Sequence, residues 1–164
     1  MGPLCRARAE LEVPTVLPRK APKKKKPHYP VAAGVIWKGA KLLVAQRRAE
    51  GLLGGMWEFP GGKQEEGESL EECLVREIAE ELDFAIEVEE FLVQVEHAYS
   101  HFSITLHAFK ARYKSGEPRA VECADWRWID PAELDDFAFS RADRKVIDFL
   151  RNESPQLDLF SAKK

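Results

Sequence analysis

At 164 residues, with 25 Lys and Arg against 28 Asp and Glu, the chain has the size of one domain and a formal net charge of −3, so nothing global demands a nucleic-acid partner. A hydrophobic share of 45% and a charged share of 32% suit a soluble globular protein, with no apolar run long enough to span a bilayer and no signal-peptide core near the N-terminus. Cys5, Cys73 and Cys123 are odd in number and scattered, which excludes a disulfide framework or a cysteine metal cluster and suits a reducing compartment, the cytoplasm of a bacterium.

Along the chain, PRKAPKKKKPHYP (18–30) combines prolines with a lysine run and reads as an extended linker. Residues 1–29 are therefore expected to be a flexible segment, with a folded domain over 30–151 that starts near Val31. VAAGVIW (31–37) and KLLVAQRR (41–48) form a hairpin by pattern, and MWEF (56–59) is a short strand running into Pro60-Gly61-Gly62. From Ser69 the period becomes helical, with Leu74, Val75, Ile78 and Leu82 on one arc. Residues 86–100 and 101–113 read as two long strands and WRWID (126–130) as another. Pro131 to Leu134 opens a short helical turn, and Arg141 to Leu150 repeats at helical spacing. Residues 152–164 read as a free tail. Strands and helices alternate without regular βαβ units, which predicts an α/β (α+β) domain built on a mixed sheet flanked by helices.

Residues 61–82, GGKQEEGESLEECLVREIAEEL, hold eight glutamates. Like charges three and four apart on a helix repel, and Glu77, Glu80 and Glu81 stand at that spacing beside the apolar arc. Such a face is commonly just solvated. The alternative is a hard divalent cation such as Mg²⁺, which takes a few carboxylates together with the phosphates of a substrate and would relieve the repulsion. Pro60-Gly61-Gly62, just upstream, lets the backbone turn tightly and bring bare carbonyls to the same place.

The spacing Gly-x5-Glu-x7-Arg-Glu-U-x-Glu-Glu, with U aliphatic, is filled by Gly62, Glu68, Arg76, Glu77, Ile78, Glu80 and Glu81, and it resembles the Nudix box. One position departs: the glycine that usually follows the last glutamate by two residues is Asp83 here, with Phe84 after it. Asp is among the few residues that tolerate the left-handed turn required there. The stretch from Pro30 to Leu150 resembles the MutT-type branch of Nudix hydrolases. That resemblance implies an α/β/α sandwich around a mixed sheet, and hydrolysis of oxidised purine nucleotides such as 8-oxo-dGTP to the monophosphate and pyrophosphate, a mutation-avoidance activity. It implies Mg²⁺, with Mn²⁺ as a substitute, on Glu77, Glu80, Glu81 and the Gly61 carbonyl, while Arg76 and Glu68 orient loop and helix. By the same resemblance Glu122 is either a further metal-binding or base glutamate or an ordinary loop carboxylate. Asp143 contacts the purine edge or caps a helix. Arg48 and Phe59 belong to the nucleobase pocket, or to the surface and the core respectively.

Two further resemblances bear on partners. GLLGGMWEFPGGK and VEHAYSHFSITLHAFKA look like the MutT-like C-terminal domain of the adenine glycosylase MutY, which implies an alternative: a catalytically idle reader of 8-oxoguanine in DNA repair. Gln156, Leu157, Asp158, Leu159 and Phe160 resemble the peptide that binds the bacterial DNA polymerase sliding clamp. The other reading of these five is a terminal segment that folds back to bury its apolar residues.

Overall fold

The computed structural model describes residues 26–153. β1 (His28–Lys38) runs through the middle of a seven-stranded mixed sheet. It pairs in parallel with β6 (Ser103–Ser115) along nearly its whole length, from His28 opposite Ser103 to Trp37 opposite Arg112. Its other edge is shared. Trp37 and Lys38 pair with Leu42 and Lys41 of β2 (Lys41–Gln46), whereas residues 31–33 pair with β4 (Gly61–Lys63). β2 meets β3 (Trp57–Glu58) at Ala45 and Gln46, and its opposite edge carries β7 (Asp125–Ile129). β5 (Ala85–Ala98) is an edge strand, antiparallel to β6 and bulged near Glu89 and Leu92.

The expected hairpin thus closes only at its turn. Its two strands splay, and residues 57–63 wedge between them. Pro60 cannot donate to a ladder, but its carbonyl accepts from the Gly34 N–H at 2.8 Å, which locks the wedge to β1. The short strand β4 was not expected from sequence, since Gly-Gly-Lys carries no apolar alternation.

The strand starts at His28, inside the segment read as linker. The His28 ring explains this: Nδ1 lies 2.7 Å from the Ser103 hydroxyl and Nε2 2.7 Å from that of Thr105. Tyr29 packs edge-on against Phe102. At the other end, helix α2 (Arg141–Glu153) takes in Asn152 and Glu153, which were assigned to the tail.

Alternation along the central strands sends side chains to two cores. Ala33, Val35, Leu42 and Val44 meet Ala142, Val146, Ile147 and Leu150 of α2, while Ala32, Ile36, Leu43 and Ala45 meet helix α1 (Leu70–Leu82) on the other face. The architecture is the expected α/β/α sandwich. A six-residue 3₁₀ helix (Pro131–Asp136) leads into α2. Among the described residues no helix is long and apolar enough to cross a membrane.

α1 has well-defined ends. Ser69 accepts from the Glu72 N–H at 3.0 Å while Glu72 accepts from the Ser69 N–H at 3.0 Å, a reciprocal capping box. Asp83 closes the helix in the left-handed region at φ 58°, ψ 42°, the role foreseen for it, and Arg119 clasps its carboxylate at 2.8 Å. The buried stripe is Cys73, Leu74, Ile78 and Leu82; Val75, placed on that arc from sequence, is 42% exposed. Cys73, rather than Val75, lies over the Gly-Gly segment, its thiol 3.5 Å from the Gly62 carbonyl. The sliding-clamp-like residues 156–160 lie outside the described residues.

Candidate active site

The carboxylates of α1 are organised by one guanidinium. Arg76 donates through Nε and Nη2 to the two oxygens of Glu68 at 3.0 and 2.8 Å, through Nη1 to Glu77 at 3.0 Å and Glu80 at 3.1 Å, and through Nη2 to the Lys63 carbonyl at 3.2 Å. Glu68 also accepts from the Glu65 N–H at 2.8 Å. Arg76 and that amide hold the Glu68 carboxyl down at about 2. Helix, strand and the loop between them are thereby pinned at a single point.

Glu77 and Glu81 turn toward the wedge and line a cavity of about 540 Å³. The Glu77 carboxylate lies so close over Gly62 that a Cβ there would overlap it, so any larger residue at position 62 would displace that carboxylate. Burial raises the Glu77 carboxyl against the pull of Arg76. Glu81 is pushed further, to about 8, first by burial and then by the charges of Glu58 and Glu77. Its Oε1 is buried with no hydrogen-bond partner. Glu80 is exposed and held by Arg76.

Glu58 was not foreseen, yet it lines the same cavity. Burial raises it to about 7 despite Arg47, whose Nε lies 2.9 Å away. A signal was available: a glutamate between two aromatics in Trp57-Glu58-Phe59, on a strand leading straight into Pro60-Gly61-Gly62. Lys63, Tyr99, Phe102 and Ser140 are among the further lining residues that the sequence did not point to, with Tyr99 and Phe102 4.8 Å apart between ring centres.

Asp143 lines this cavity and is only 5% exposed. Its Oδ2 accepts from the Ser140 hydroxyl at 2.7 Å and its Oδ1 from the Phe59 N–H at 3.3 Å. Burial outweighs both and raises the carboxyl to about 6. It is not the helix cap. Ser140 does that work, accepting the Asp143 N–H at 3.3 Å. Phe59 is both core and wall, 2% exposed, stacked on Phe139 and facing the cavity.

Two expected site residues stand apart. Arg48 does not line the cavity; it donates to the Val121 carbonyl at 2.9 Å, and its neighbour Arg47 faces inward instead. Glu122 is exposed and absent from the cavity wall. Its backbone N–H caps the Glu81 carbonyl at 3.2 Å, and its charge adds to the rise at Glu77 and Glu81.

Among the described residues no three His, Cys, Asp or Glu side chains converge as a ready metal cage. The donor set nevertheless fits a divalent cation. An unpartnered buried carboxylate oxygen, a carboxylate pressed onto glycine backbone, and neighbouring carboxylate charges that add to the burial-driven rise of Glu77 and Glu81 would all be relieved by one positive ion.

Fold and site define a MutT-like Nudix hydrolase. Residues 32–149 match the NUDIX domain model, and the chain belongs to that family. Among its relatives, the 8-oxo-dGTP diphosphatase of Proteus vulgaris is 42% identical over 87 residues, covering 52% of this chain and 76% of that protein. The CTP pyrophosphohydrolase of Escherichia coli is 35% identical over 118 residues, covering 72% and 87%. The solution structure of the E. coli ORF135 protein superposes with a TM-score of 0.67 at 32% identity, covering 82% of this chain and 99% of that one. A more distant likeness, 27% over 119 residues, covers 71% of this chain and 22% of human adenine DNA glycosylase.

Proposed function

We propose that the chain is a Mg²⁺-dependent diphosphatase of oxidised purine nucleoside triphosphates, with 8-oxo-dGTP as first candidate, giving the nucleoside monophosphate and pyrophosphate in the bacterial cytoplasm. One observation carries this reading: a single cavity is lined by the carboxylates Glu58, Glu77 and Glu81, by the cations Arg47 and Lys63, and by Asp143 beside Phe59. It offers phosphate-facing and base-facing chemistry in the same space.

Glu77, Glu80, Glu81 and the Gly61 carbonyl would hold the cation, with Glu122 near enough to add charge. Bound there, a divalent ion supplies charge neutralisation and an acidified water. Arg76 keeps Glu77 and Glu80 in place, while Lys63 and Arg47 meet phosphate charge. Glu81, raised to about 8, holds a proton at pH 7 that cation binding would displace. The Asp143 carboxylate can accept from adjacent N–H donors on a purine edge, and a base lacking them would leave the buried charge with only Ser140 and the Phe59 N–H as donors.

The idle-reader alternative has only the more distant likeness to human adenine DNA glycosylase behind it, and a reader needs no unpartnered carboxylate beside its pocket. None of the relatives above bears on a clamp partner for residues 156–160. The test is Mg²⁺-dependent pyrophosphate release from 8-oxo-dGTP, dGTP, dATP, dCTP and CTP, for the natural chain and Glu81→Gln. Preferred turnover of 8-oxo-dGTP, reduced at least about a hundredfold in the variant, is expected. Preference for CTP, the substrate in the name of the E. coli relative, would keep the hydrolase and discard the oxidised purine. A folded protein that turns over nothing would overturn the proposal.

A further inference from the structure

Arg48, Asp83 and Glu122 stand outside the catalytic cavity, yet all three meet in the loop 116–124 that joins β6 to β7. The last carbonyls of a helix need donors from outside it, and this loop supplies them to α1. The Arg119 N–H donates to the Leu82 carbonyl at 2.8 Å, and the Val121 and Glu122 N–H groups share the Glu81 carbonyl at 3.0 and 3.2 Å. Pro118 and Cys123 are buried, while Val121 and Glu122 between them stay exposed. Glu122 is thus carried on backbone bonded to Glu81, the residue whose buried carboxylate oxygen has no partner. Its charge is felt at both Glu77 and Glu81.

Two arginines add side-chain fastenings to these backbone bonds. Arg48, just past the end of β2, donates to the Val121 carbonyl at 2.9 Å, and the Ala124 N–H donates to the Gln46 carbonyl at 2.8 Å. Arg119 donates through Nε and Nη2 to one oxygen of Asp83, at 3.0 and 2.8 Å. This second fastening exists because of the residue that departs from the box. A glycine at position 83 would end the helix in the same left-handed turn and leave Arg119 with no carboxylate to hold. Asp83 and Arg119 are both exposed, so their pair adds little to stability. Its effect is on where the loop lies rather than on whether the domain folds.

We infer that Arg48, Arg119 and Asp83 are positioning residues, which hold the loop 116–124 against the end of α1 and so keep the Glu122 carboxylate at the cation site. This rests on the reading above that Glu77, Glu80 and Glu81 hold the cation, and it deepens that reading. Arg48 acts on the metal side of the reaction and not on the nucleobase, and Asp83 does more than stop a helix.

The test is Mg²⁺ affinity of the full chain, from titrations followed by NMR, with amide exchange at Val121 and Glu122 in the metal-free protein and pyrophosphate release from the nucleotide panel above. Arg48→Ala, Arg119→Ala and Asp83→Gly should each weaken Mg²⁺ binding about threefold and speed exchange at the two amides. Arg119→Lys, which keeps the charge, should recover most of the loss. Asp83→Gly keeps the left-handed helix end and removes only the clasp, so it carries the test if Arg119→Ala does not fold. Beside Glu122→Gln the same substitutions should cost no further affinity. The loss of turnover should be equal for every nucleotide. Unchanged affinity and exchange in Asp83→Gly and Arg48→Ala would overturn the inference. So would losses that persist in full beside Glu122→Gln, or an Arg48→Ala effect that varies with the base. Affinity and turnover are read separately: a natural chain that binds Mg²⁺ and hydrolyses nothing sinks the diphosphatase reading, while the role of the loop stands or falls on the affinities.

Discussion

Asp143 is a carboxyl removed from water, and its cost can be worked out. The rise from 3.8 to about 6, at about 1.4 kcal/mol per pH unit, makes the ionised group cost about 3 kcal/mol. The sign follows from linkage. Between pH 3.8 and about 6 the unfolded chain has already released the proton that the folded chain still holds, so stability falls as pH rises; above 6 the full cost is present, and below 3.8 it vanishes. Asp143→Asn removes the charge and keeps the shape. Its amide oxygen can accept the Phe59 N–H, and its amide N–H can donate to the Ser140 oxygen, whose hydroxyl at present donates to Oδ2. The variant should therefore exceed the natural chain in stability by up to about 3 kcal/mol at pH 8 and by almost nothing at pH 4. Urea titrations followed by tryptophan fluorescence at pH 4, 6 and 8 measure this directly. Glu58 and Glu81 titrate in both proteins and largely cancel in the difference. A variant less stable than the natural chain at pH 8, or a difference that ignores pH, would refute the reasoning, because the carboxylate would then be stabilised by its partners rather than tolerated.

Gly62→Ala places a Cβ on the Glu77 carboxylate; displacement of that side chain should abolish Mg²⁺-dependent turnover and lower stability by about 1–3 kcal/mol in chemical denaturation. Because Glu81 is raised to about 8 and Glu58 to about 7, cation binding at pH 7 should release protons, seen calorimetrically as a binding heat that varies with the ionisation enthalpy of the buffer and fades above pH 9; a heat that is the same in every buffer would count against it. Ser69→Ala removes one half of the capping box and should cost about 1 kcal/mol in thermal or urea unfolding without changing cation affinity.

The helix carrying the glutamates was legible in the sequence because its ends and its stripe are local properties. The start at Ser69, and the left-handed close at Asp83, are read from neighbours within four residues. The glutamate spacing was legible for the same reason, and it led to the family. Val75 misled because hydrophobicity alone cannot say which side of an arc meets the sheet; Cys73 was placed inward by the Gly-Gly backbone beneath it. β4 was invisible since its pairing partner, β1, lies some thirty residues earlier. Arg47 and Arg48 are alike in chemistry, and only the alternation at the end of β2 decides which one faces the cavity. Glu58 became significant through its nearness to Glu81, a contact between a strand and a helix that no local pattern encodes.

The Arg76 guanidinium gives the site a particular kind of selectivity in concentration. It already occupies one oxygen each of Glu77 and Glu80, so an incoming metal ion would find Glu81 unpartnered but would share the other two carboxylates with a resident counter-ion. Its apparent affinity is then the difference between two attractions rather than either one whole. Such an exchange would tie occupancy to the supply of free cation, while Glu68 can keep hold of the arginine in either state. In that arrangement the scaffold would be insulated from a bound cation, and occupancy could follow the ionic supply while the architecture stays fixed.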